Sequence, residues 1–340
     1  PDLLEIYRTQ LDLVDSAEAG QAKRFQMAQL LEEFLSEPQG AIDLYLEIVA
    51  DDGENEAALK SLARLFAFEE MWSELADTLE TQLSIATDES SISEYRLDLA
   101  EVRELRLGEI ESALVIYEEM ITQSPDNERV RHALERLLGS ENVQGQAARL
   151  LEPVYLERED WRGLVLVLHT LQELADDTSE RIDYLCRIVD AQDEQLNLPG
   201  EAFQTLATAF AVDASRADVL ERFMDLAERL ELWVELATQL ESIAQTTMEP
   251  ELSSHLFVKI GLVYRERLSD LSGARGYFEQ ALIRDETNVD AFGQLDTLFS
   301  DTAEHEALTA LLLNRAQVEE DNQVVVEHLL RAASLLEREL

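Results

Sequence analysis

The chain has 340 residues, of which 46% are hydrophobic and only 12 are glycine and 6 proline. This composition favours a nearly all-helical protein with ample apolar surface for a core. The net charge of −45 repels nucleic acid and anionic membranes, so neither is expected as a partner.

Nothing in the sequence suggests membrane insertion. The longest apolar run, residues 164–168, is far shorter than the roughly 18 residues of a membrane span, and no signal peptide is visible. A cytoplasmic location is therefore favoured. Because the chain begins at Pro1 without a methionine and ends within a helical pattern at Leu340, we expect it to be a fragment of a longer protein.

Apolar residues recur at helical spacing along the whole chain. Within residues 256–264, for example, Phe257, Ile260, Gly261 and Tyr264 fall on one helix face at i, i+3, i+4 and i+7. Prolines, glycines and Asx residues between such stripes mark helix starts and stops. These signals predict about nineteen helices, no strands, and connections short enough to make successive helices antiparallel neighbours. In chain order the predicted spans are 3–14, 19–36, 39–51, 55–69, 72–86, 90–107, 109–123, 127–139, 142–158, 161–175, 178–196, 199–212, 215–230, 232–246, 250–268, 271–284, 288–299, 303–318 and 321–340.

A unit of 72 residues repeats along the chain. One position of the unit recurs at steps of 72, 89, 72 and 72 residues and is always leucine: Leu35, Leu107, Leu196, Leu268 and Leu340. Other positions keep the same spacing: Ala28, Ala100, Val189, Gly261 and Ala333; Ala41, Ala113, Ala202 and Ala274; Leu75, Leu164, Leu236 and Leu308; Trp72, Trp161, Trp233 and, as a fourth member, His305. Repeated helical units must bury their apolar faces on their neighbours. We therefore predict one solenoid over 1–340, with units at about 1–107, 108–196, 197–268 and 269–340.

The residues of the unit resemble the tetratricopeptide repeat (TPR). That repeat asks for a bulky residue, Leu-Gly and Tyr on its first helix, and for Ala, an aromatic residue and Ala on its second. The matching residues here are Phe257, Ile260, Gly261 and Tyr264, followed by Ala274, Phe278 and Ala281. A copy at 97–125 keeps Ala100, Ala113 and Tyr117, and the alternate copies match more loosely.

The chain therefore resembles a TPR array of the bacterial type, in which each 72-residue unit is two hairpins of about 36 residues. The resemblance implies an all-α, right-handed superhelix and a concave surface that holds a protein or peptide partner. It covers essentially the whole chain. It specifies the fold and leaves the partner open.

The repeated positions have structural roles that follow from their size. Small residues such as Ala100, Gly261 and Ala274 let neighbouring helices approach closely. Tyr117 and Phe278 fill the space where the next helix crosses. Trp72, Trp161 and Trp233 open the second helix of the alternate hairpins, where we expect packing wedges. A ligand-stacking role for these tryptophans is the alternative.

One irregular region interrupts the repeat. The step of 89 residues exceeds the period by 89 − 72 = 17 residues, inserted between Leu134 and Trp161. Seventeen residues are one helix and a turn, so an extra helix is predicted near 142–158. Pro153 lies within it, and a proline inside a helix removes a hydrogen bond and bends the helix. The bend is either a local kink or a hinge.

No residue pattern indicates catalysis, a cofactor or a metal. None of the five histidines pairs with another His or Cys at ligand spacing, and Thr309 stands where a zinc-protease helix would place the second histidine after His305. The single cysteine, Cys186, rules out an internal disulfide framework. We expect a small core residue there, with a reactive thiol as the alternative. We therefore predict a protein that is not an enzyme, with no catalytic, cofactor-binding or metal-binding residues.

The acidity has three interpretations that the sequence leaves open. It keeps a long array soluble, it adapts the surface to a salty environment in which lysine is scarce, or it forms a docking face for a basic partner. The functional prediction is an interaction scaffold for a protein or peptide, basic in the third interpretation. The alternative is a regulatory or sensor array whose effector domain lies outside this chain. The oligomeric state is not predicted.

Overall fold

A computed structural model describes residues 2–11, 16–35 and 37–338 of the chain. Within these ranges there are nineteen α-helices, three short π-helical segments and no strand, which confirms the all-α prediction. The α-helices, numbered in chain order, are α1 (Asp2–Leu11), α2 (Ala17–Leu30), α3 (Pro38–Asp51), α4 (Glu56–Phe68), α5 (Trp72–Ile85), α6 (Glu89–Val102), α7 (Ile110–Gln123), α8 (Glu128–Leu137), α9 (Gln144–Glu157), α10 (Trp161–Leu174), α11 (Thr178–Asp190), α12 (Pro199–Val212), α13 (Ala217–Leu230), α14 (Trp233–Thr246), α15 (Pro250–Glu266), α16 (Leu271–Arg284), α17 (Val289–Asp301), α18 (His305–Val318) and α19 (Asn322–Arg338). The π-helical segments are Leu31–Leu35, Arg103–Leu107 and Ala191–Gln195. Leu340, the fifth leucine of the repeat, and the end of the predicted helix 3–14 lie outside the described residues.

The helices form two compact units, Pro1–Glu159 and Asp160–Leu340. Within each unit every helix contacts the next one along the chain, as short connections between antiparallel neighbours require. The TPR-like helix pairs predicted from the sequence are therefore present in both units. A single continuous right-handed solenoid over 1–340 stays a prediction.

One backbone hydrogen bond closes the same helix in four copies of the repeat, after α2, α6, α11 and α15. The amide donates to the carbonyl six residues earlier, from Glu37 to Leu31 (3.0 Å), Glu109 to Arg103 (2.8 Å), Leu198 to Gln192 (2.7 Å) and Asp270 to Tyr264 (2.9 Å). These donors are separated by 72, 89 and 72 residues, the steps of the sequence repeat. The residue before the donor is left-handed at Gly108, Asn197 and Ser269, as in a Schellman helix end. The turn therefore repeats with the sequence and reverses the chain at the same place each time.

A second left-handed turn precedes each tryptophan position. The left-handed residues keep the repeat spacing and are not glycines: Glu70 (φ 58°), Glu159 (φ 54°), Glu231 (φ 58°) and Ala303 (φ 55°). A left-handed conformation costs an ordinary residue about 1–2 kcal/mol. The surrounding helices therefore hold this turn in place against the local preference of the chain.

The paired helices α15 and α16 approach closely at Gly261 of α15. A Cβ atom at this glycine would lie 2.4 Å from Cε1 of Phe278 in α16, so no larger residue fits without a shift of the ring. The corresponding pairs in the other repeats are Ala28 with Tyr45, Ala100 with Tyr117, and Val189 with Leu206, and all eight of these positions are buried. Where the first helix carries the larger valine, the second carries leucine instead of an aromatic ring. A larger side chain on the first helix is thus matched by a smaller one on the second helix.

The 17-residue insertion gives this repeat two helices, α8 and α9, where the first repeat has the single helix α4. Asn127, which caps the start of α8, stands 72 residues after Asn55, the cap of α4. The left-handed Glu159 that follows α9 stands 89 residues after Glu70, which follows α4. The helix α8 therefore begins at the repeat position where α4 begins, and α9 ends at the repeat position where α4 ends. The extra helix predicted near 142–158 is present as α9, with the exposed Pro153 inside it; the hinge role of this proline stays a prediction.

The contact between Gly261 and Phe278 predicts opposite effects for two glycine substitutions. Gly276 lies in α16, and a Cβ atom added there would meet no other atom within 4 Å, so Gly276→Ala should stabilise the helix by about 0.5–1 kcal/mol. Gly261→Ala should destabilise the protein by about 1–3 kcal/mol, because the added methyl overpacks the pair. Urea unfolding followed by circular dichroism measures both. Equal stabilisation by the two substitutions would contradict the close contact.

Candidate functional site

The three predicted tryptophan wedges each begin a helix at the edge of the core. Trp72 begins α5, Trp161 begins α10 and Trp233 begins α14, and His305 begins α18 at the fourth position. All three indoles are partly exposed. They therefore border the surface between neighbouring helices, where both packing and contact with a partner are available to them.

An arginine covers two of the three tryptophans. The guanidinium carbon of Arg106 lies 4.5 Å from the ring centroid of Trp72, and that of Arg267 lies 4.7 Å from Trp233. Each arginine follows its tryptophan by 34 residues, and Gln195 stands at this spacing from Trp161. A cation over an indole face is attracted by about 0.5–1 kcal/mol at an exposed site. Sequence reasoning missed this pair, because a spacing of 34 residues does not by itself indicate that the two side chains meet.

A groove of about 440 Å³ opens beside Trp72 between α4, α5 and α6. Its floor is apolar because Leu75 and Leu79 of α5 face it. Ala63 and Ala67 of α4 form one wall, and their small side chains leave the space open. The opposite wall comes from α6 and the π-helical segment after it, through Val102, Leu105 and Arg106. The side chain of Leu105 is 57% exposed.

The charged groups around this groove already have partners. Arg64 forms an ion pair with Glu32. Asp98 and Glu101 share Arg129, at 3.4 and 2.9 Å, and burial raises the pKa of the Asp98 carboxyl above its ordinary value. On this side of the groove the charges of Arg129 and Arg106 balance the two carboxylates. The groove therefore combines an apolar floor with a rim that carries both acidic and basic side chains.

The other predicted repeat residues lie in the core and do not line the groove. Ala100, Ala274 and Phe278 are fully buried, and Gly261 is buried beneath Phe278. Tyr117 is also buried, and its hydroxyl donates a 2.7 Å hydrogen bond to Glu104.

Burial and the neighbouring carboxylate raise the pKa of Tyr117. Arg136 neutralises Glu104 through two contacts of 2.9 and 3.1 Å. Of the predicted set, only Trp72 belongs to the groove.

Among the described residues no three His, Cys, Asp or Glu side chains could together hold a metal ion. Cys186 is partly buried, and burial raises the pKa of its thiol, so it is a poor thiolate. In the same part of the chain, no helix is both long enough and apolar enough to cross a bilayer.

Comparison with known proteins gives structural likenesses of low identity. No protein-family model and no curated protein sequence matches the chain. Solved structures similar to it include the TPR domain of P58(IPK), at 13% identity over 99% of this chain and 93% of that chain with a TM-score of 0.27. The Pseudomonas aeruginosa protein pilF is 21% identical over 57% of this chain and 84% of its own, with a TM-score of 0.30. Naa15/Naa10 bound to HypK-THB is 16% identical over 99% of this chain and 54% of that chain, with a TM-score of 0.36. Likenesses at this level say nothing about the partner of the chain.

The stacked arginine gives a prediction about Trp72. Arg106→Gln gives Trp72 the residue type that stands 34 residues after Trp161. A double-mutant cycle with Trp72→Leu should give a coupling energy of about 0.5–1 kcal/mol, measured by urea unfolding. The matched cycle of Gln195→Ala with Trp161→Leu should give a smaller coupling. If the two cycles agree, the cation over Trp72 contributes nothing.

Proposed function

We propose that the chain is a non-catalytic scaffold whose groove between α4, α5 and α6 binds a peptide segment of a partner protein. The observation that supports this is the groove itself, in which Leu75 and Leu79 form an apolar floor. A pocket lined by apolar groups and flanked by a few charges is the usual form of a binding site. Apolar side chains of the partner would occupy the space above Ala63 and Ala67.

The charge of the protein favours a basic partner. The chain as a whole has a net charge of −45. Such a field attracts a basic segment from a distance and loses strength as salt screens it. The proposed ligand is therefore a segment with one or two aliphatic side chains flanked by lysine or arginine.

Two alanines of α4 provide a matched test of this groove. Both are exposed, but Ala67 lines the groove and Ala57 does not. A library of displayed peptides selected on the immobilised chain should yield aliphatic sequences with basic flanks. Ala67→Trp fills the groove and should weaken these peptides by about tenfold or more, or about 1.4 kcal/mol. Ala57→Trp should leave their affinity unchanged.

Circular dichroism spectra of both variants should match that of the parent chain, since both alanines are exposed. Selected peptides that bind the Ala67→Trp variant as well as the parent would refute the groove as their site. Selection of acidic peptides would refute the charge argument while leaving the groove intact.

A further inference from the structure

The arginine beside Trp72 in the groove has an aromatic partner and no anion. The carboxylates nearest to Arg106 in the chain are held by other arginines, Glu104 by Arg136 and Glu109 by Arg103. Among the described residues, no carboxylate forms an ion pair with Arg106. Contact with the indole ring uses none of the five N–H donors of a guanidinium. These donors are therefore available to an acceptor from outside the chain.

A later copy of the repeat shows which group is missing at the groove. Arg267 stands two repeat steps, of 89 and 72 residues, after Arg106, and it stacks on Trp233. It also forms an ion pair of 2.8 Å with Glu228 of α13. The same two steps before Glu228 lead to Ala67, which lines the groove. The first copy thus has the indole and the cation of this trio, with alanine at the position of the carboxylate.

The copy between these two changes both positions together. Gln195 stands at the position of Arg106, and Leu156 at the position of Ala67. One copy therefore pairs a cation with an anion, another pairs two neutral residues, and the groove copy has a cation opposite alanine. The small side chain of Ala67 leaves open the place that a carboxylate has in the third copy. Another molecule in the groove can supply that carboxylate.

We propose that a glutamate or aspartate side chain of the peptide in the groove binds Arg106, in the place that Glu228 has beside Arg267. This inference rests on the proposed function and adds one acidic residue to the aliphatic and basic residues of the ligand. Hydrogen bonds between a guanidinium and a carboxylate are charge-assisted and often bidentate, which makes them strong and specific. Salt screens the other charges of the protein beyond about 8 Å. One acid within a basic segment is therefore compatible with the net charge of −45.

Peptide display tests whether the ligand needs this acid. A library whose peptides are fused through their C-termini offers side-chain carboxylates and no free terminal carboxylate. Peptides selected on the parent chain are assigned to the groove when Ala67→Trp weakens them. These groove peptides should carry aspartate or glutamate at one fixed position relative to their aliphatic residues. The same library selected on the Arg106→Gln variant should show no preference for an acid at that position.

Synthetic peptides measure the contact itself. One selected groove peptide is made with both ends blocked, together with a copy in which glutamine or asparagine replaces the acid. The acidic peptide should bind the parent chain about tenfold more tightly than the neutral copy, because a hydrogen bond to a charged group is stronger than one between neutral groups. Arg106→Gln should remove this difference, as measured by fluorescence anisotropy.

Two variants of Ala67 separate charge from space. Ala67→Glu supplies the carboxylate that Glu228 provides in the third copy, so it should remove the preference for the acidic peptide. Ala67→Gln fills the same space without a charge, so it should weaken both peptides alike and keep their ratio. Ala57→Glu adds the same charge at an exposed position of α4 outside the groove and should leave the ratio unchanged. Circular dichroism should show the helix content of the parent chain for all three variants.

Several results would overturn the role of Arg106 while the groove stays the binding site. These are groove peptides without a preferred acid, a preference that persists in Arg106→Gln, and a preference that Ala67→Gln removes as fully as Ala67→Glu. Groove binding that requires a free C-terminal carboxylate would also overturn it. If Ala67→Trp weakens no selected peptide, the proposed function itself fails, and this inference fails with it.

Discussion

The packing of one small residue against one bulky residue is the constraint on which each repeat depends. At Gly261 the ring of Phe278 occupies the space that a side chain would need, and the same exchange of volume recurs in the other repeats with alanine or valine. Close approach at this point fixes the distance between two helices. In the turn between the two helices, the hydrogen bond from an amide to the carbonyl six residues earlier fixes their relative direction. Together they make each hairpin rigid, which leaves function to the faces that the hairpins do not use on each other.

Ion pairs on these remaining faces account for the excess of arginine over lysine. Arginines, which outnumber lysines by 24 to 3, repeatedly reach a carboxylate on a neighbouring helix, as in Arg136 with Glu104, Arg267 with Glu228 and Arg331 with Asp296. A guanidinium suits this task because its planar donors hold two oxygens at once. Each such exposed pair contributes little, about 0–1 kcal/mol. Because the chain has 72 carboxylate side chains and only 27 lysines and arginines, most carboxylates have no cation of the chain to pair with.

Much of this structure was predictable because the residues that specify it either lie close together in the sequence or recur with the repeat. Helix positions follow from apolar stripes and caps such as Asn55 and Asn288, and the repeat aligns buried columns without any knowledge of contacts. Three features were not predictable. The π-helical segments depend on how the end of a helix packs against the neighbouring helix. The division of the inserted residues between α8 and α9 depends on which of these residues pack against the adjacent helices. The stacking of Arg106 on Trp72 depends on two residues 34 apart in sequence, which only the fold brings together.

A deletion of one period tests the central claim that the 72-residue unit is the unit of structure. Removal of residues 36–107 joins Leu35 to Gly108 and places Tyr117 opposite Ala28, the pairing of alanine with tyrosine that the chain already uses. Removal of 197–268 is the same length but places Phe278 opposite Val189, where the ring has no room. Circular dichroism with thermal melting should show that the first deletion keeps a cooperative helical fold and that the second is clearly less stable. Equal stability of the two, or unfolding of the first, would contradict the account.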